Sequence, residues 1–304
     1  MGKDFTLYWT NHARYENCPR QFLWYNGWGV IDLGQGPGRG KPFPVQRSKH
    51  DAVLGIVIQS VIEDLYNNEL WRHPAGLQRE LLERVEKTFH LQLAKPKNFI
   101  EWRFAPSREE MLETCRQGVL GYLRTMKQHR LLGPYARAEV DLIGWVDKFT
   151  PVGGRADMII RRDDTGISIL DGKNSKHKGK YTDPDQLRWY ALCHFLAYSQ
   201  MPDRLGFIYY RYPYGTPIEG SDQVEEGVEW VPCTREDIQG LAQRAIKVRK
   251  GLLKEKFDPN PTPKGCQFCD FETVCDARVA QRESNSRGRR KSQDLPDDGL
   301  LEIL

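Results

Sequence analysis

The chain has 304 residues, 45 Lys and Arg against 41 Asp and Glu for a formal net charge of +4, and 39% apolar residues, ample for a packed core in one large domain or two small ones. It offers no long uncharged apolar run for a membrane span and no basic-then-apolar opening segment, so a membrane-free, cytoplasmic protein is expected. Seven cysteines, an odd number in a reducing compartment, argue against a disulfide framework.

Residues 11–25 read as a short helix that breaks near Pro19 and runs on into the apolar cluster Phe22, Leu23, Trp24 and Tyr25. A loop rich in Gly, Pro and Arg follows over 27–46, read as a surface excursion. From His50 to Trp71 the periodicity is helical, with Gly55, Gln59 and Glu63 on one face; the glycine on that stripe implies close approach of another backbone. Leu77 to Leu93 and Arg108 to Leu132 carry alternating charge and apolar stripes and predict a helical subdomain.

A strand begins at Ala138 to Ile143, and the stretch from Gly153 to Lys173 then organises the rest. Met158, Ile159 and Ile160 form one strand, Asp163 to Gly166 a bend, and Ile167, Ile169 and Leu170 a second strand. Asp171 and Lys173, two apart, share a face while Gly172 turns away, and antiparallel pairing brings Asp157 beside them. Two adjacent carboxylates repel unless a hard cation sits between them, and Mg²⁺ or Mn²⁺ takes oxygen ligands while keeping water for chemistry. A lysine there can orient or deprotonate the attacking water, or stabilise charge building on a phosphate. This is the equipment of a phosphodiester hydrolase; the alternative is a solvated hairpin with charge at its end. The basic run Lys173 to Lys180 follows, favourable to nucleic acid.

Asp183 before Pro184 predicts a helix N-cap, and Gln186 and Tyr190 lie one turn apart on that helix. Leu205 to Tyr212 and Val228 to Val231 read as strands, Glu236 to Leu253 as a helix with a basic face, and 257–265 as a proline-punctuated arm. Cys115, Cys193 and Cys233 stand alone as ordinary core residues. Cys266, Cys269 and Cys275 form a C-x2-C-x5-C cluster one ligand short of a tetrahedral site, for which Cys18 is the natural fourth; four thiolates hold either zinc or an iron-sulfur cluster. The segment 278–304 is too polar to bury a core and reads as a disordered tail, its end either a partner-docking peptide or unstructured.

Gly-x-x-Asp ending at Asp157, then Asp-x-Lys at Asp171 and Lys173 after a hairpin, resembles the PD-(D/E)xK nuclease superfamily. With Gln186 and Tyr190 as a Gln-x-x-x-Tyr element and the four cysteines in order, the chain is similar to its RecB-type and CRISPR-associated Cas-four-like iron-sulfur exonucleases. The resemblance covers most of 15–275. It implies a restriction-endonuclease-like α/β fold: a mixed sheet flanked by helices, a helical part at 49–133, a metal-site core at 136–232, and a cysteine cap at 257–277 joined to Cys18, all in one nuclease domain over 1–277. It implies a DNA exonuclease that trims single-stranded ends 5′ to 3′, with Mg²⁺ or Mn²⁺ on Asp157 and Asp171 and Lys173 assisting the water. Gln186 and Tyr190 would arrange lysine or phosphate, and a [4Fe-4S] cluster, with Zn²⁺ as the lesser alternative, would sit on Cys18, Cys266, Cys269 and Cys275. DNA is the implied partner, with a recombinase, helicase or other repair protein as a further one for the tail. Gln59 stands where the family's helix carries a metal-binding histidine; it is either a carbonyl ligand or a polar helix residue, and the departure leaves open a non-catalytic DNA-end-binding scaffold. Glu139 is either the family's supporting glutamate or an exposed strand residue.

Overall fold

The computed structural model describes residues 5–26, 49–95, 98, 100–103, 105–179, 182–211, 227–262, 265–266, 269–272 and 275–278. The loop expected over 27–46, Lys180, Tyr212 and the tail beyond 278 lie outside the described residues. Chain contacts divide the described residues into a larger unit, 5–9 and 49–249, and a smaller one, 10–26 and 250–278. No helix among the described residues is long and apolar enough to cross a membrane.

In chain order the elements are β1 (Leu7–Tyr8), α1 (Trp9–Asn17), α2 (Pro19–Asn26), α3 (His50–Asn67), α4 (Leu77–Leu93), α5 (Arg108–Gln128), β2 (Ala136–Trp145), β3 (Pro151–Arg162), β4 (Gly166–Lys173), α6 (Pro184–Tyr198), β5 (Arg204–Tyr209), β6 (Val228–Val231) and α7 (Arg235–Leu253). The sheet has six strands in the order β1-β3-β4-β5-β6, with β2 paired to β3. The β2–β3, β3–β4 and β5–β6 pairs are antiparallel and the β4–β5 and β1–β3 pairs parallel, so the sheet is mixed. A parallel neighbour needs a crossover, and α6 supplies it between β4 and β5.

In α3, Val53, Leu54, Val57, Ile58, Val61, Ile62 and Leu65 recur at three- and four-residue spacing and are all buried. They pack with α4, with α5 and with Met158, Ile160, Leu170 and Ile208 of the sheet in one apolar cluster. Each such side chain contributes about 1.5–3 kcal/mol on burial, which holds the helical layer to the strands. Ile159 and Ile169 alternate to the opposite face, and α6 packs on β2, β3, β4 and β5. A capping box starts α5: Glu110 N–H donates to Ser107 Oγ (3.1 Å) and Ser107 N–H to Glu110 Oε2 (2.8 Å).

Several expectations shift, and the helix expected to Trp71 ends at Asn67. The helix expected to Leu132 ends at Gln128, and the strand expected to Tyr212 ends at Tyr209 because Tyr210 turns into the core, edge-on to Tyr122. Among the described residues Gly55 does not meet another backbone: a methyl added there would find none of their atoms within 4 Å. Cys115 and Cys193 are buried as expected of core thiols, whereas Cys233, next to the start of α7, is half-buried.

Candidate active site

The register builds the site. The last rung of the β3–β4 ladder is Met158↔Leu170, so Asp157 and Asp171 follow one residue beyond it on adjacent strands. On the other side, Ala138↔Met158 and Val140↔Ala156 flank the position where Glu139 stands across from Asp157. Three carboxylates from three neighbouring strands thus meet at one level of the sheet. Asp171 is buried and Asp157 and Glu139 half-buried.

Each carboxylate has its own protein donors. Asp157 Oδ2 accepts from Gly172 N–H at 2.8 Å. Asp171 Oδ1 accepts from Gln186 Nε2 at 2.8 Å, and its Oδ2 lies 2.6 Å from Lys173 Nζ. That second oxygen is buried without a well-directed hydrogen bond. Gln186 is the hub: its Oε1 accepts from Lys173 Nζ at 2.9 Å while its Nε2 also reaches Tyr190 Oη at 3.1 Å. A carboxylate only accepts, so Asp171 fixes which end of the Gln186 amide faces it, and the amide oxygen is left to hold the lysine. The Asp183 side chain accepts from Asp185 N–H, capping α6 as expected and so placing Gln186 and Tyr190 one turn apart over the strand ends.

The electrostatics follow from burial. Burial, reinforced by Asp171 and Glu139, pushes the Asp157 carboxyl well above the usual carboxylate range, against the pull of Gly172 N–H and Lys173. Burial also raises Asp171, opposed chiefly by Lys173. Burial and the charge of Asp171 raise the Tyr190 phenol. Carboxyls so placed favour either a proton or a cation. The donor set is all hard oxygen, with one buried carboxylate oxygen short of hydrogen-bond partners, and this fits Mg²⁺ or Mn²⁺ better than a soft metal. Among the described residues, though, no three His, Cys, Asp or Glu side chains converge as a metal centre, since each carboxylate is turned toward its own donor.

Gln59 and Glu139 join this site. Gln59 Nε2 donates to Glu139 Oε1 at 2.6 Å, and Arg155 Nε lies 2.7 Å from Glu139 Oε2. Two residues went unread in the sequence. Arg155, two before Asp157 on β3, carried a signal in its spacing; Tyr210 did not, being 37 positions after Lys173. Tyr210 is buried, donates to Gln59 Oε1 at 2.8 Å, and sets its hydroxyl where a side chain on Gly172 would be. Burial, then Asp157, Asp171 and Glu139, raise its phenol far above the ordinary value.

In the smaller unit, Cys18, Cys266, Cys269 and Cys275 are half-buried thiols, none in a disulfide, lining one small cavity with Arg20, Trp24 and Asn260. Cys18 occupies the break between α1 and α2, and its Sγ accepts from Asn260 N–H at 3.5 Å. Burial raises the Cys269 thiol, and the other three cysteines add to the rise. Phe271 is buried edge-on against Trp24 and Tyr25, 5.1 Å from each, which fixes the cysteine segment to α2. The four cysteines share this cavity, but among the described residues their thiols do not converge as a metal group.

The family model of the PD-(D/E)XK nuclease superfamily matches residues 9–276, and the chain belongs to that superfamily. Its mixed sheet flanked by helices is the architecture of that class, so the protein is a nuclease by family. The solved structure titled "Crystal structure of SSO0001" is similar at 15% identity and a TM-score of 0.34, over 75% of this chain and 95% of that one. No curated protein matches the chain.

Proposed function

We propose that the protein is a divalent-cation-dependent DNA exonuclease that hydrolyses phosphodiester bonds at single-stranded ends. The observation that carries this reading is Lys173 gripped by both Asp171 and Gln186 one strand away from Asp157. Asp157, Asp171 and Glu139 would hold Mg²⁺ or Mn²⁺, which when bound polarises the phosphate and lowers the pKa of water. Lys173, held at 2.6–2.9 Å by its partners, would have an ammonium proton left for the attacking water or a non-bridging phosphate oxygen. Tyr190 supports Gln186, and so Lys173, from the next turn of α6.

End dependence and 5′-to-3′ polarity come from the resemblance to the Cas-four-like enzymes, and the same resemblance favours a [4Fe-4S] cluster over zinc on the four cysteines. Their common cavity supports a metal staple of one of these kinds. A linear single strand labelled at either end, compared with a circular one, tests the activity. Release of short products from the 5′ label with the circle intact is expected, and cleavage of the circle would replace the exonuclease reading with an endonuclease. Anaerobic purification should give a brown protein with iron and sulfide; a colourless one with stoichiometric zinc overturns the cluster.

A further inference from the structure

Gln59 offers two groups, and both are engaged. Its Nε2 donates to Glu139 Oε1 at 2.6 Å, and its Oε1 accepts from Tyr210 Oη at 2.8 Å. The amide cannot be turned around, because a carboxylate has no proton to give the carbonyl end. The only atom of Gln59 able to coordinate a cation therefore has one of its two lone pairs directed at a buried phenol and is held away from free rotation. Glu139 meanwhile is fixed from its other oxygen by Arg155 Nε at 2.7 Å, and its backbone sits at φ 53° in mid-strand, a left-handed conformation unfavourable for a residue with a side chain. Strain of this kind persists only where the surroundings over-determine it, and here they aim one carboxylate at the level of Asp157 and Asp171.

We infer that Gln59 is a positioning residue, not a metal ligand, and that Tyr210 and Gln59 together orient Glu139 as the third carboxylate of the cation site. This rests on the metal-dependent nuclease reading above. In this chain, then, a Tyr–Gln–Glu relay occupies the place where direct side-chain ligation from the α3 helix was the alternative. Gly172 is part of the device, since only a residue without a side chain leaves room for the Tyr210 hydroxyl.

Tyr210→Phe removes the hydroxyl and keeps the ring, and a double-variant measurement then separates a positioning role of Gln59 from a ligand role. As a positioning device the relay loses its anchor, and Mn²⁺ affinity, measured by calorimetry or by electron paramagnetic resonance on full-length protein without DNA, should fall about tenfold or more. Affinity unchanged or raised in Tyr210→Phe overturns the inference. A second measurement guards against a variant that misfolds: in a Glu139→Gln background, Gln59→Met should cost no further Mn²⁺ affinity, whereas an additive loss assigns Gln59 a contact of its own and overturns the proposal. Affinity lost in Asp171→Ala but unchanged in Tyr210→Phe sinks the relay alone. Absence of Mn²⁺ binding by the wild type sinks the nuclease site and the relay together.

Discussion

Replacing Gly172 with alanine tests the packing of the site directly. An added Cβ would lie 1.5 Å from Tyr210 Oη, 2.2 Å from Cζ and 3.0 Å from Cε1, so the ring has to move by roughly 2 Å to restore ordinary contact distance. Tyr210 is only 4% exposed and lies edge-on to Tyr122 at 5.8 Å, which leaves it little room. Overpacking of this kind costs about 1–3 kcal/mol, and breaking the Tyr210–Gln59 hydrogen bond in a buried setting adds about 1–3 kcal/mol. A loss of about 3 kcal/mol would lower the melting temperature by about 6–12 °C. The same substitution at Gly55, on a helix with no atom of the described residues within 4 Å, removes a flexible residue without a clash among them and should be neutral or stabilising by about 0.5–1 kcal/mol. Urea and thermal unfolding of both variants beside wild type provide the assay. Equal stability of Gly172→Ala and wild type would refute the packing argument.

Because burial and the charge of Asp171 raise Asp157, the folded protein retains a proton there that the unfolded chain has released. Without added cation, that part of the stability is therefore lost as pH rises above the ordinary carboxylate range toward the raised folded value, while Mn²⁺ affinity grows over the same interval as the cation replaces the proton. Titrations of Mn²⁺ binding at several pH values that show no rise would contradict this. On the proposed metal-staple reading, Cys18→Ser should lower the metal content of purified protein as completely as Cys275→Ser, and Cys233→Ser should leave it at the wild-type level; retained metal in Cys18→Ser would remove that residue from the set. Ser107→Ala deletes the capping box of α5 and should cost about 1 kcal/mol in urea unfolding, with nuclease activity below the midpoint unaffected.

Much of this architecture was legible because local rules and tertiary packing agree. The apolar stripe of α4 gave Leu77–Leu93 to the residue, and the alternation through Met158 to Leu170, with a polar bend between, gave the hairpin on which Asp157, Asp171 and Lys173 stand. Gln186 and Tyr190 were placed by a proline and a capping aspartate. The relay was hidden for a different reason. Tyr210 follows the β5 residue that pairs with Lys173, and only the parallel β4–β5 register delivers it beneath Gly172; no spacing in the sequence encodes that approach. Gly55 misled because a glycine on a helix stripe carries no sign of which neighbour, if any, occupies the space.

Asp171 and Lys173, together with Asp157, are proposed to form one hydrolytic centre. Wild-type protein, Asp171→Ala and Lys173→Ala, purified identically, are incubated with an end-labelled single strand and Mn²⁺, and product release is followed in time. The account predicts cation-dependent release by the wild type and a loss of at least about a hundredfold in each variant, in the range for removing a group that stabilises charge at the reacting centre. Equal release by all three, or none by the wild type, would contradict it.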